Sequence, residues 1–203
     1  MRDDRTTFDR FNVDKERDGI KLGASSVTVL FEDANRTLWV GSYSGLTAIH
    51  PDRKGSRRFT ADPENSASLS GNSITSIAQS RDGVLWVGTS TGLNTYNADA
   101  KTWARIHIDR RSAPLFEEYI TSLHVDAKGL VWIGTTSGIL HAYDRKSGRC
   151  ESYRLATSVS QSFFSEHSVT SITADDRGAL WVGIRSEGLF GFDTRTRTST
   201  RFR

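Results

Sequence analysis

The chain has 203 residues, with 27 Lys plus Arg against 24 Asp plus Glu, and its net charge of +3 is too small to point to a nucleic-acid partner. Cys150 is the only cysteine, which excludes an intramolecular disulfide and a thiolate zinc site within one chain. No run of 18 apolar residues is present and no apolar stretch follows the N-terminal MRDDRTTFDR, so neither a membrane contact nor a targeting signal is expected of this segment.

Along the chain, the first predicted strand is TTFDRF, ending at Phe11, and a second is SVTVL at 26–30. The turn EDANR leads into LWVGS at 38–42, and a short glycine turn opens GLTAIH at 45–50. A further aromatic segment, GSRRF, ends at Phe59. This order of β-branched segment, tryptophan segment, glycine segment and aromatic segment then recurs three times. Trp39, Trp86, Trp132 and Trp181 are spaced by 47, 46 and 49 residues. Thr28, Thr75, Thr121 and Thr170 each precede their tryptophan by 11. The aromatic segments end at Phe59, Ile106, Tyr153 and Phe202.

The residue types explain the pattern. Segments rich in Val, Ile and Thr favour strands. Gly83, Gly129 and Gly178 hold one turn position where positive φ is expected, with Arg36 as the exception. Gly41, Gly88, Gly134 and Gly183, two residues after each tryptophan, mark a close approach of a neighbouring strand. No stretch keeps a helical apolar period for three turns, which excludes helical solenoids. Four antiparallel strands every 46–49 residues predict an all-β fold, a β-propeller with four four-stranded blades. The boundaries are 26–62, 73–109, 119–155 and 168–203 within one propeller segment spanning 1–203, with an extra N-terminal outer strand at 7–11. That fifth outer strand has no quartet of its own. An open slice of a larger ring, seven-bladed, is therefore expected in preference to a closed four-bladed ring, with two exposed blade faces that would meet neighbouring blades or a second copy.

The wording SITSIAQSRDGVLWVGTSTGLNTYN at 73–97, preceded by DPENSASLSGN at 62–72, resembles the two-component regulator propeller repeat, and the likeness runs from about Ser26 to Asp193. Arg36 in place of glycine, Ser80 in place of the aspartates Asp33, Asp126 and Asp175, and a fourth rim turn longer by one residue depart from it. The resemblance implies a bacterial sensor module of a hybrid two-component or related receptor, on the periplasmic or extracytoplasmic side of the inner membrane. Some such proteins sense carbohydrate breakdown products, and a longer parent carries a histidine kinase or diguanylate cyclase. If the chain is complete, the sequence implies a cytoplasmic protein.

No catalytic constellation, metal site or cofactor motif emerges. His50, His107, His124, His141 and His167 never fall at metal-binding spacing, and only His124, on an innermost strand, has an easy route to a central channel. The turn acids Asp33, Asp82, Asp126, Asp175 and Asp176 fit carboxylates that accept backbone hydrogen bonds. Binding is better supported than catalysis. The long connections and the short turns gather on one face, where Tyr43, Arg185 and Glu187 stand out from the small hydroxyl residues of the other turns. Glu118 and Tyr119 enter the third innermost strand, and with Tyr43 and Arg185 they are the candidate residues for a small polar ligand such as a sugar. Two alternatives stand beside a non-enzymatic sensor. One is a protein-interaction scaffold, using Phe163 and Phe164 or the loop face. The other is a propeller lyase or glycosidase, in which Glu118 would pair with a second carboxylate.

Overall fold

In the structure, a computed structural model describing residues 19–23, 26–106, 119–155 and 167–202, every strand belongs to one of four antiparallel sheets. The first blade is β1 (Val27–Glu32), β2 (Leu38–Ser42), β3 (Gly45–Ile49) and β4 (Ser56–Phe59). The second comprises β5 (Ile74–Gln79), β6 (Leu85–Thr89), β7 (Gly92–Asn97) and β8 (Thr102–Arg105). The third comprises β9 (Ile120–Val125), β10 (Val131–Thr135), β11 (Ile139–Asp144) and β12 (Arg149–Arg154). The fourth comprises β13 (Val169–Ala174), β14 (Leu180–Ile184), β15 (Gly188–Asp193) and β16 (Thr198–Phe202). Within each sheet the strands lie in chain order, and Ile106 falls one residue beyond β8. The expected outer strand at 7–11 lies outside the described residues. Blades pack first strand against first strand, β1 on β5, β5 on β9 and β9 on β13.

The alternation of side chains along a strand explains why one four-letter phrase recurs. In the first three LWVG-type segments the tryptophan points toward the following blade, while the aliphatic residues beside it point back. Thus Trp39 shares a core with Leu85 and Val87, Trp86 with Val131 and Ile133, and Trp132 with Leu180 and Val182. Each indole also meets an aromatic ring of the next blade edge-on: Trp39 on Tyr96 at 5.2 Å, Trp86 on Tyr143 at 6.0 Å, Trp132 on Phe192 at 5.5 Å. Burying an indole contributes roughly 4–6 kcal/mol gross, before side-chain ordering is subtracted. The cores of this protein are therefore the interfaces between blades.

Glycine follows tryptophan because the next blade needs the space. A Cβ on Gly41 would stand 2.8 Å from Ile74 Cγ2, one on Gly88 2.6 Å from Ile120 Cγ2, and one on Gly134 2.4 Å from Val169 Cγ1. The turn before each tryptophan takes the expected left-handed residue, φ 85°, 84° and 81° at Gly83, Gly129 and Gly178. Arg36 adopts φ 65° at the same position, so this blade accepts the strain of a side chain there.

The turn acids hold these corners together. Asp33 Oδ1 accepts the N–H groups of Asn35 and Thr37, and its Oδ2 accepts the Trp39 indole N–H at 2.8 Å. Asp126 does the same for Lys128, Leu130 and Trp132. In the second blade Ser80 Oγ takes the Trp86 indole N–H at 3.2 Å, so the serine departure keeps the bond to tryptophan.

Candidate ligand site at the blade rims

All four first strands carry a register shift at the same place, between Val27 and Val29, Ile74 and Ser76, Ile120 and Ser122, and Val169 and Ser171. The residue left out of the ladder is the recurring threonine: Thr28, Thr75, Thr121 and Thr170. A bulge turns its extra residue out of the regular pleat. Here all four threonines line one cavity of ≈ 600 Å³. Periodicity located these residues, but the register that gives them a common role comes only from strand pairing.

The short turns between second and third strands supply the rest of the wall. Tyr43, Thr136 and Arg185 occupy the same turn position in blades one, three and four and all line the cavity, joined by Tyr119 and Ser168 at the start of the third and fourth blades. Backbone bonds fix the turns beside the incoming chain: Ser90 N–H donates to Ser73 O, Thr136 N–H to Tyr119 O and Arg185 N–H to Ser168 O. The cavity therefore brings together three of the four residues singled out from sequence, Tyr43, Tyr119 and Arg185. Glu118 lies outside the described residues, as do His107, Phe163 and Phe164.

The fourth turn differs from the reading of its sequence in one respect. Glu187, expected on the rim surface with Arg185, is only 6% exposed. The additional residue lets Ser186 adopt φ 59° and sends the two charged side chains apart. The Glu187 carboxylate lies 2.9 Å from His167 Nδ1 and 3.4 Å from Arg201 Nη1, and Arg201 Nε donates to its carbonyl. Those neighbours compensate the burial of a charge. Arg185 keeps an exposed guanidinium with no ion pair among the described residues.

None of the described histidines lines the cavity. His124, half-buried on β9, is held below its ordinary pKa by burial, opposed by the Asp126 charge, and is absent from the lining. His141 is fully buried with Nδ1 2.8 Å from Ser152 Oγ, and His50 lies 2.8 Å from Asp52. The Cys150 thiol is buried, and burial pushes its pKa up to about 12, far from a reactive thiolate. Among the described residues no group of three or more His, Cys, Asp or Glu side chains could hold a metal ion, and no helix is long and apolar enough to cross a membrane. Other clefts, lined by the turns that follow the first and third strands, lie at the opposite ends of the blades. Their acids include Asp126, Asp144, Asp175 and Asp193, whose carboxylates already accept backbone N–H bonds in turns.

A run of four-stranded blades joined by tryptophan cores, with a cavity where their first strands meet, defines a β-propeller. The Two component regulator propeller family profile matches residues 21–44, 68–91 and 114–137, in the same frame around three of the four tryptophans. The chain thus carries three copies of this repeat. Among solved structures it is similar to the extracellular domain assigned to the hybrid two component system BT3049 of B. thetaiotaomicron, at 19% identity and TM-score 0.74, covering 90% of this chain and 24% of that one. It is likewise similar to the extracellular domain assigned to the one component system BT4673 of the same organism, at 25% identity and TM-score 0.71, covering 89% and 22%. Virginiamycin B lyase from Staphylococcus aureus shares the fold at 14% identity and TM-score 0.69, covering 95% and 61%. The chain thus spans about a quarter of the length of the two extracellular domains. No curated protein matches its sequence.

Proposed function

We propose that this chain is a non-catalytic, ligand-sensing propeller segment of a bacterial signalling receptor, placed on the extracytoplasmic side of the membrane, and that its ligand is of carbohydrate type. The observation that carries the reading is the convergence of Tyr43, Tyr119 and Arg185, from three different blades, on one cavity walled by threonines. Tyrosine rings give flat apolar faces for a sugar ring, and a guanidinium gives a rigid fork of donors. A ligand touching several blades at once couples their relative positions, which is what a sensor requires. Kinship of repeat with extracellular domains of signalling systems supports the location and the signalling role. The test is calorimetric titration of the chain with a panel of oligosaccharides, repeated with Tyr43→Ala. Saturable binding weakened at least about tenfold by the variant supports the reading; no binding across the panel counts against it.

One observation favours a second reading, an interaction surface for another copy of this chain. The side chains that every internal interface buries are exposed at the ends of the array. Val27, the counterpart of the fully buried Ile74, Ile120 and Val169, is 45% exposed, and Leu30 is 61% exposed. On the fourth blade, Trp181 meets the Phe202 ring of its own sheet, and among the described residues Gly183 faces none of a following blade. The two faces are the complementary halves of one repeating interface. Ile20 covers part of the first, packing with Val40 and Ile49, whose counterparts Val87 and Tyr96 pack on Trp39.

A further inference from the structure

The rim turns allow a distinction between what the fold needs and what it does not. Tyr43, Ser90, Thr136 and Arg185 fill one structural position, and the same antiparallel pairing continues around each of them. A turn that is built equally well with tyrosine, serine or threonine has no structural demand for arginine. Yet the fourth blade places a permanent positive charge there, on the wall of the cavity.

Among the described residues, that charge has no ion-pair partner at short range. Arg185 is the sole ionised side chain among the described lining residues, and no described carboxylate pairs with it. The acid nearest in sequence, Glu187, is turned inward between His167 and Arg201. The extra residue of this turn therefore separates the two opposite charges, directing the acid into the protein and leaving the guanidinium at the cavity. Surface arginines are usually content in water. At the wall of a cavity whose other polar groups are hydroxyls, the same group selects strongly among ligands that enter.

From these contacts we infer that the ligand is acidic: a saccharide bearing a carboxylate, of uronate type, whose anionic group is met by Arg185. This rests on the carbohydrate-binding reading above and narrows it. Arg185 acts as a specificity-determining residue, while Tyr43, 63% exposed on the same wall, supplies a face for the sugar ring. The planar guanidinium matches a planar carboxylate through two parallel N–H···O bonds, a match that a neutral hydroxymethyl group at the same sugar carbon does not make.

The experiment uses matched probes that differ only at that carbon. Oligogalacturonates and the corresponding neutral galacto-oligosaccharides, with the equivalent glucuronate and glucose pair, are titrated into the full chain at about 20 mM and about 300 mM salt. The expected result is that a uronate binds at least about tenfold tighter than its neutral partner, and that raising the salt narrows the difference. Arg185→Ala should remove most of the preference for the acidic probe over its neutral partner, with Arg185→Lys intermediate. Tyr43→Ala should weaken both classes alike. Equal melting of the variants and the parent chain would exclude unfolding as the cause, as expected for a turn position that accepts four residue types. If neutral and acidic probes bind equally, or Arg185→Ala leaves the preference intact, the acidic-ligand inference fails and the carbohydrate reading stands. If no probe of either class binds, both fall.

Discussion

The indole N–H of Trp132 donates to Asp126 Oδ2 at 3.0 Å, while Oδ1 of the same carboxylate accepts the backbone N–H groups of Lys128 and Leu130. One side chain thus shapes a turn and fixes the ring that fills the next blade interface. Replacing it with alanine leaves a partly buried donor unsatisfied, at a cost of about 1–3 kcal/mol. Asp126→Ser should recover part of this, as Ser80 serves Trp86 in the second blade. Urea denaturation of both variants at one protein concentration is the check, and equal losses would show that the bond to tryptophan is immaterial.

Space between blades is a second sensitive feature. A Cβ at Gly134 would lie 2.4 Å from Val169 Cγ1 and 2.8 Å from its Cβ, neither of which can swing away freely. Gly134→Ala should destabilise by about 1–3 kcal/mol through overpacking. At Gly183 the near atoms are the Ser171 and Thr170 hydroxyl oxygens, at 2.6 and 3.0 Å, with no following blade. Gly183→Ala should cost less, and a double-mutant cycle of Gly134→Ala with Val169→Ala should return a favourable coupling. Additive costs would refute the close approach as the cause.

Stability should fall on mild acidification. His124 is held below its ordinary value of 6.5 by burial, with Asp126 acting in the opposite direction. As pH drops through about 6.5 the unfolded chain takes up a proton that the folded one resists, so stability is lost until the lower folded value is passed. Melting temperatures between about pH 7.5 and 5.5 should decline less for His124→Gln than for the parent chain. More acidic conditions add a second loss. The Ser147 hydroxyl and Lys146 N–H hold Asp144 below its usual range, and the Thr196 and Arg195 N–H groups do so for Asp193, favouring the folded state only while these groups stay ionised. Parallel pH profiles for parent and variant would remove His124 from this account.

The end faces yield a prediction about assembly. Trp181 and Val27 sit where internal interfaces bury tryptophan and a β-branched residue, and a second copy can bring them together. Light scattering after size exclusion should give a mass above that of the monomer, falling toward it for Val27→Asp or Trp181→Arg. A monomer at all concentrations would refute head-to-tail contact between copies.

Much of this architecture was legible because its determinants are local and repeated. Strand alternation put tryptophan on one side and its aliphatic neighbours on the other, and the turn glycines separated the strands. The repeat also drew attention to Tyr43 and Arg185, because both depart from small hydroxyl residues in matching turns. Glu187 misled for the same reason: a sequence departure says that a residue differs, and not which way its side chain turns. Ile20 carried no repeat signal at all, yet it packs on Val40 and Ile49.

The sequence alone determined the strand quartets, their order and the tryptophan spacing, since these depend on residue type and on neighbours a few positions away. Only the tertiary structure decided that bulges turn Thr28, Thr75, Thr121 and Thr170 toward a shared cavity, that Tyr43, Tyr119 and Arg185 meet there, and that Glu187 is withdrawn from it. Those outcomes depend on ladder register and on packing between separate sheets, where residues more than forty positions apart must fit into the same volume. No periodicity along a single chain records that fit.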